Sequence, residues 1–160
     1  MVYKARCRRT AKFVALKRIL MEHEKEGFPI TALREIKMLQ KLKHPNITEL
    51  LEIVTSKKKP EQEKQQGQNQ QQESKGKERF SFYLVFTFCA HDLAGLLANG
   101  PRLMLVHIKT MMRHILEGLY KLHSSQILHR DMKTANVLIT TDGVLKLADF
   151  GLARLMYSKL

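Results

Sequence analysis

Tryptophan is absent from the 160 residues, only two cysteines occur, and no glycine precedes Gly27. Residues 1–21 hold no acid while carrying seven Lys or Arg. Apolar runs of about 18 residues, the length a membrane-spanning helix needs, are also missing, so no transmembrane segment is expected. Cys7 and Cys89 are too few for a disulfide framework and have no metal-ligand spacing, which favours a reducing intracellular compartment. An Arg-rich, acid-free start could belong to a transit peptide. Tyr3, Ala5 and Cys7, however, alternate with Lys4, Arg6 and Arg8, the period of a strand rather than of an amphipathic helix.

What is present fits a globular protein, with 44% hydrophobic residues and a net charge of +13. A basic surface favours anionic partners: nucleotides, nucleic acid or an acidic protein face. Residues 2–8 and 13–20 read as two strands joined around Arg9–Lys12. From Thr31 to Lys43, Leu33, Ile36, Leu39 and Leu42 recur among charged residues, the pattern of a half-buried helix. Pro29 precedes this helix and His44-Pro45-Asn46 ends it. Residues 47–55 read as a strand. Residues 60–78 contain seven glutamines and no apolar side chain, so a flexible insertion is expected over 57–79. Residues 80–88 (FSFYLVFTF) read as a buried strand. Asp92 is placed to cap a short helix, and Ile108, Met111, Ile115, Leu119 and Leu122 mark a longer one. Asp142-Gly143 between two apolar runs, within 137–147, signals a hairpin.

Several residues suggest phosphoryl transfer, a reaction that needs positioning and charge neutralisation more than covalent chemistry. Lys17 in VALK lies on an expected strand and Glu35 on the expected helix. Each alone is an ordinary surface residue. HRDMKTAN, residues 129–136, is more specific: it sets Asp131 as a candidate base and Asn136, five positions on, as a candidate Mg²⁺ ligand. His129, after Ile127-Leu128, reads as a packing residue that orients the loop. Asp149, in ADFG beyond the hairpin, is a second metal candidate. The order of these segments carries the signal, since Asp-Phe-Gly alone is a common tripeptide. The basic charge lacks the aromatic-interleaved patch or finger spacing of a nucleic-acid binder, so direct nucleic-acid binding is not expected.

With these motifs the chain resembles the eukaryotic protein kinases, and GFPITALREIK, residues 27–37, resembles their cyclin-dependent branch. FCAHDLAGLL and ILHRDMKTANVLITTDGVLKLADFGLAR carry the same likeness. The resemblance implies an ATP- and Mg²⁺-dependent transferase acting on Ser/Thr hydroxyls of a protein, a nuclear location and a role in transcription elongation. It also implies a cyclin T-like partner at the PITALRE helix. Lys17 and Glu35 become an ion pair, Ala15 and Leu138 enclose the adenine, and Phe86 guards the back of the pocket. The backbones of Thr87 and Cys89 face the adenine edge, Asp92 the ribose, and Lys133 the transferred group. For Asp92 the helix-cap role stands beside this one.

The implied fold is α+β, a two-lobe protein-kinase-like fold in incomplete form. A β-rich lobe over 1–88 lacks its first strand and glycine-rich loop, and 89–160 holds the hinge and the first part of a helical lobe. Nine residues follow Gly151, too few for an activation segment. Little turnover is therefore expected of these 160 residues alone, and a non-catalytic cyclin-binding or nucleotide-binding module is the alternative. The stripe Met111, Ile115, Leu119 and Leu122 is expected to lack cover, a loss of roughly 6–12 kcal/mol at 1.5–3 kcal/mol per side chain.

Overall fold

A computed structural model describes residues 1–19, 29–58, 79–100 and 102–156. The expected insertion falls largely on 59–78, outside the described residues, as does Leu20 at the end of the second expected strand.

Strand β1 (Val2–Arg6) and β2 (Phe13–Ile19) pair antiparallel, with Val2 opposite Lys17 and Arg6 opposite Phe13. Between them the Cys7 N–H donates to the Lys12 carbonyl at 2.9 Å and the Ala11 N–H to the Cys7 carbonyl at 2.8 Å. Closing this turn puts Ala11 at φ 57°, the left-handed region that glycine adopts freely. Helix α1 (Ile30–Lys41) starts after Pro29, and the Leu42 N–H returns to the Leu39 carbonyl as it ends. Its buried face is Ala32, Glu35, Ile36 and Leu39, an i, i+3, i+4, i+7 set. The expected stripe included Leu33, which is instead 43% exposed, because a repeat of three drifts around a helix of 3.6 residues per turn.

Strand β3 (Leu50–Lys58) and β4 (Arg79–Thr87) form the other half of a four-stranded sheet of order β1-β2-β4-β3. Lys57, Lys58 and Arg79 belong to this ladder rather than to the insertion, pairing as Lys57 with Phe80 and Lys58 with Arg79. Strand β3 begins three residues later than expected. Residues 46–48 are used elsewhere: the Leu147 N–H donates to the Asn46 carbonyl and the Thr48 N–H to the Leu147 carbonyl, both at 2.9 Å.

After β5 (His91–Asp92), helix α2 (Leu93–Asn99) is capped by Asp92, whose Oδ1 accepts from the Gly95 N–H at 2.8 Å. Helix α3 (Leu105–Ser124) leads into β6 (Ile127–Leu128), a single 3-10 turn at Thr134–Asn136, and the hairpin β7 (Val137–Ile139) and β8 (Leu145–Leu147). Gly143 turns the hairpin at φ 81°. Strand β9 (Arg154–Leu155) pairs with β6, and β5-β7-β8 form a three-stranded sheet.

The main core gathers Leu39, Leu42, Ile47, Leu122, Leu145, Leu147 and Phe150, with Met111, Ile115 and Leu119 packed against it. The stripe expected to lack cover therefore faces inward, onto β8. The open face of α3 is a different one, formed by Leu105, Val106, Ile108, Met112, Leu116 and Tyr120. Ile108 belongs to that exposed set and not to the inner stripe. Gly118 permits the close approach of α3 to the core: a Cβ there would lie 2.9 Å from the Asn46 carbonyl and 3.0 Å from Leu147 Cδ1. No described helix is long and apolar enough to cross a membrane.

Candidate active site

Strand β2 alternates its side chains, so Ala15 and Lys17 leave the sheet on the same side, toward α1. Lys17 Nζ donates to Glu35 Oε1 at 2.9 Å and to Asp149 Oδ1 at 3.0 Å. Three chain segments thus meet at one ammonium. Burial alone would pull the Lys17 pKa down, but the charge and hydrogen bond of Glu35, with those of Asp149, outweigh it, and the net shift is upward. For Asp149, burial pushes upward, yet the Lys17 hydrogen bond and charge hold the carboxyl below its ordinary value. The Glu35 residue is only 7% exposed, so its carboxylate depends on this pairing.

The loop 129–136 is organised by its own side chains. His129 is buried, its ring 5.0 Å from that of Phe150. Its Nε2 meets the Ala148 carbonyl at 2.9 Å, and its Nδ1 accepts from the Asp131 N–H at 3.3 Å. Those partners assign Nε2 as the donor nitrogen. The packing reading of His129 agrees with these contacts. Lys133 Nζ donates to Asp131 Oδ2 at 2.8 Å, and Asn136 Nδ2 donates to the same oxygen and to the Asp131 carbonyl, both at 2.9 Å. The Lys133 hydrogen bond, with that of Asn136, keeps Asp131 below the ordinary carboxylate range, and Asp131 raises Lys133 in return. With its nitrogen committed twice, Asn136 has its amide oxygen left for a ligand. Arg130 at φ 66° and Asp149 at φ 60° adopt left-handed backbone, strain of order 1–3 kcal/mol each that clusters where side chains must be aimed.

A cavity of about 240 Å³ brings together Ala15, Lys17, Glu35, Phe86, Asn136, Leu138 and Asp149. It is apolar near Ala15, Phe86 and Leu138, and charged near Lys17 and Asp149. Asp131 and Lys133 stand outside its lining and join it through Asn136. Thr87 and Cys89 are also outside the lining. The Thr87 N–H donates to the Glu49 carbonyl at 3.3 Å, and the Cys89 thiol lies 4.0 Å from the Thr87 carbonyl, its pKa raised by burial. Asp92 acts as the cap of α2. Thr48, Ala135 and Ala148 line the cavity without having been singled out in the sequence. The alternation of β8 could have flagged Ala148, whereas Thr48 carries no motif signal. A larger depression of about 540 Å³ lies along α3, and its charged side chains, Lys109, Arg113 and Glu117, all come from that one helix, with Arg113 and Glu117 paired at 2.7 Å.

This arrangement can hold a polyanion against Lys17, offer hard oxygen ligands from Asp149 and Asn136 to a divalent cation, and present an ionised Asp131 to a hydroxyl. A family model described as "Protein kinase domain" matches residues 1–160. A probable cyclin-dependent kinase 9 of Caenorhabditis elegans is 62% identical over 154 residues, covering 96% of this chain and 30% of that protein. Cyclin-dependent kinase 9 of Homo sapiens is 58% identical over 154 residues, covering 96% and 38%. The solved yeast RNA Pol II CTD kinase CTDK-1 complex contains a chain 39% identical, with a TM-score of 0.77, over 99% of this chain and 44% of that one. The chain therefore spans between 30% and 38% of the length of these curated relatives.

Proposed function

The chain belongs to the protein kinase family, and from that premise we propose that it carries the ATP site and catalytic loop of a cyclin-dependent Ser/Thr kinase. The observation that carries the reading is the Lys17 ammonium held between Glu35 and Asp149 at the charged end of an otherwise apolar cleft. Ala15 and Leu138 would enclose the base with Phe86 behind it, the backbones of Thr87 and Cys89 would face the base edge, and Asp92 would stand near the ribose. Lys17, kept in place by Glu35, would hold the α/β-phosphates.

Asp149 and the free amide oxygen of Asn136 form a donor set suited to Mg²⁺. When bound, that ion supplies neutralisation of phosphate charge. Asp131, ionised because Lys133 and Asn136 both donate to it, would orient a Ser or Thr hydroxyl and take its proton. The hydroxyl oxygen bonds to the γ-phosphorus as the bond to the β-bridging oxygen breaks, and ADP leaves. Lys133 would meet the charge on the transferred group.

The cyclin-facing element is read as α1, and its partner as cyclin T-like. The names of the relatives, cyclin-dependent kinases and an RNA Pol II CTD kinase, support a nuclear role in transcription elongation acting on a protein substrate. Among the α1 positions, exposed Leu33 can meet a partner, whereas buried Ile36 serves the lobe itself. Binding of ATP to the chain, with and without Mg²⁺, tests the site. Lys17→Met should lower ATP affinity and Asp149→Asn should abolish its dependence on Mg²⁺. ATP binding indifferent to both changes would overturn the assignment. Phosphorylation of a Ser/Thr peptide by a form of the protein carrying the segments of its longer relatives should fall at least about 100-fold on Asp131→Asn. For the partner, Leu33→Asp should weaken capture by cyclin T, and undiminished capture would remove α1 from that role.

A further inference from the structure

Lys4 makes contacts that none of these roles explains. Its Nζ lies 4.4 Å from the centroid of the Phe13 ring and 4.6 Å from that of Phe88. The two rings are 6.0 Å apart, with their planes tilted by 51°. One ammonium therefore bridges the first residue of β2 and the residue just after β4. The strand register gives the location: Lys4 is opposite Ala15, and Ala15 is opposite Phe86. Because side chains alternate, Lys4, Phe13 and Ala15 share the face that lines the cleft, and Phe88 follows Phe86 on that face. The cluster thus continues the apolar end of the cleft outward, away from Lys17.

Phe88 also sits between Thr87 and Cys89. The β4 ladder ends at Thr87, and the Ala90 N–H is tied to the Ile139 carbonyl at 2.9 Å. Between those anchors the chain crosses from one sheet to the other, and the Phe88 ring is a handle by which side chains can hold it.

We propose that Lys4, with Phe13 as its second platform, is a positioning residue for base recognition: it clamps the Phe88 ring and so fixes the backbone of 87–89 at the outer rim of the cleft. The inference rests on the nucleotide reading above, and concerns the base end of the ligand alone. A cation shared between exposed rings corresponds to about a two- to five-fold change in affinity.

The test uses the whole chain and two probes, adenosine for the base end and inorganic tripolyphosphate for the phosphate end, with affinities read by calorimetry. Lys4→Gln and Phe13→Leu should each weaken adenosine binding about two- to five-fold and leave tripolyphosphate binding unchanged. Lys4→Arg, which keeps the cation, should restore adenosine binding, and the far-ultraviolet circular dichroism of Lys4→Gln should match the parent's. Lys17→Met should do the reverse, losing tripolyphosphate before adenosine. Unchanged adenosine affinity in both clamp variants, equal loss of both probes, or no rescue by Arg would overturn the clamp while leaving the nucleotide site standing. A parent chain that binds neither probe would overturn the nucleotide reading itself, and the clamp with it.

Discussion

Replacing Lys17 by methionine removes one charge and leaves another stranded. The Glu35 side chain is 9% exposed and bonded to Lys17, whereas the Lys17 side chain is 32% exposed and has Asp149 as a second partner. Breaking a fully buried pair from one side typically costs about 3–5 kcal/mol, because the remaining charge is uncompensated. Partial exposure of Lys17 lowers that figure, and we expect about 2 kcal/mol for Lys17→Met. Glu35→Gln leaves Lys17 with Asp149 and solvent, for about 1 kcal/mol or less. Urea unfolding separates the two. With a slope near 1–3 kcal/mol per M, Lys17→Met should move the midpoint by about 1 M, and Glu35→Gln by less than half of that. Equal costs, or a larger cost for Glu35→Gln, would refute the reasoning.

Ala11→Gly should raise stability by about 0.5–1 kcal/mol, since relief of a left-handed alanine exceeds the added freedom of the unfolded chain; a lower urea midpoint would contradict it. Gly118→Ala should cost about 1–3 kcal/mol in spite of alanine's better helix propensity, because the added Cβ meets the Asn46 backbone. A variant with higher thermal stability would show that the α3 packing has been misjudged. Acid stability follows from Asp149 and Asp131, both held below their ordinary value of 3.8. There the unfolded chain binds more protons than the folded one, so these groups stabilise the fold above that value and their contribution is lost as pH falls through the depressed folded values. Asp149→Asn should flatten that decline, and an acid-unfolding curve as steep as the parent's would count against the Lys17–Asp149 bond.

How much could be read beforehand depended on the range over which each residue acts. The bonds among Asp131, Lys133 and Asn136 span at most five positions, so the HRDMKTAN spacing placed them close together in advance. Lys17 and Asp149 are 132 positions apart, and their contact requires the fold. Likeness to the kinases suggested Lys17–Glu35; composition and periodicity did not. Leu33 was misassigned because apolar spacing alone does not say which side of a helix meets a sheet. Thr48 was missed for a related reason. ITELLEIVT has the composition of a continuous strand, and only the bonds to Leu147 show that its first residues serve β8. The Lys4 clamp was invisible as well: alternation places Lys4 on the cleft face, but no local pattern joins it to Phe88.

The bonds between Leu147 and residues 46–48 tie the segment that follows α1 to the strand that leads into Asp149, so a rotation of α1 would pivot about that end. Glu35 lies six residues from Lys41, about 9 Å along the axis at 1.5 Å per residue. A rigid rotation of about 10° there would sweep the carboxylate through about 1.5 Å, enough to part a 2.9 Å bond to Lys17. Leu33 stands about 3 Å further out, so a force applied there works on Glu35 with the longer lever arm.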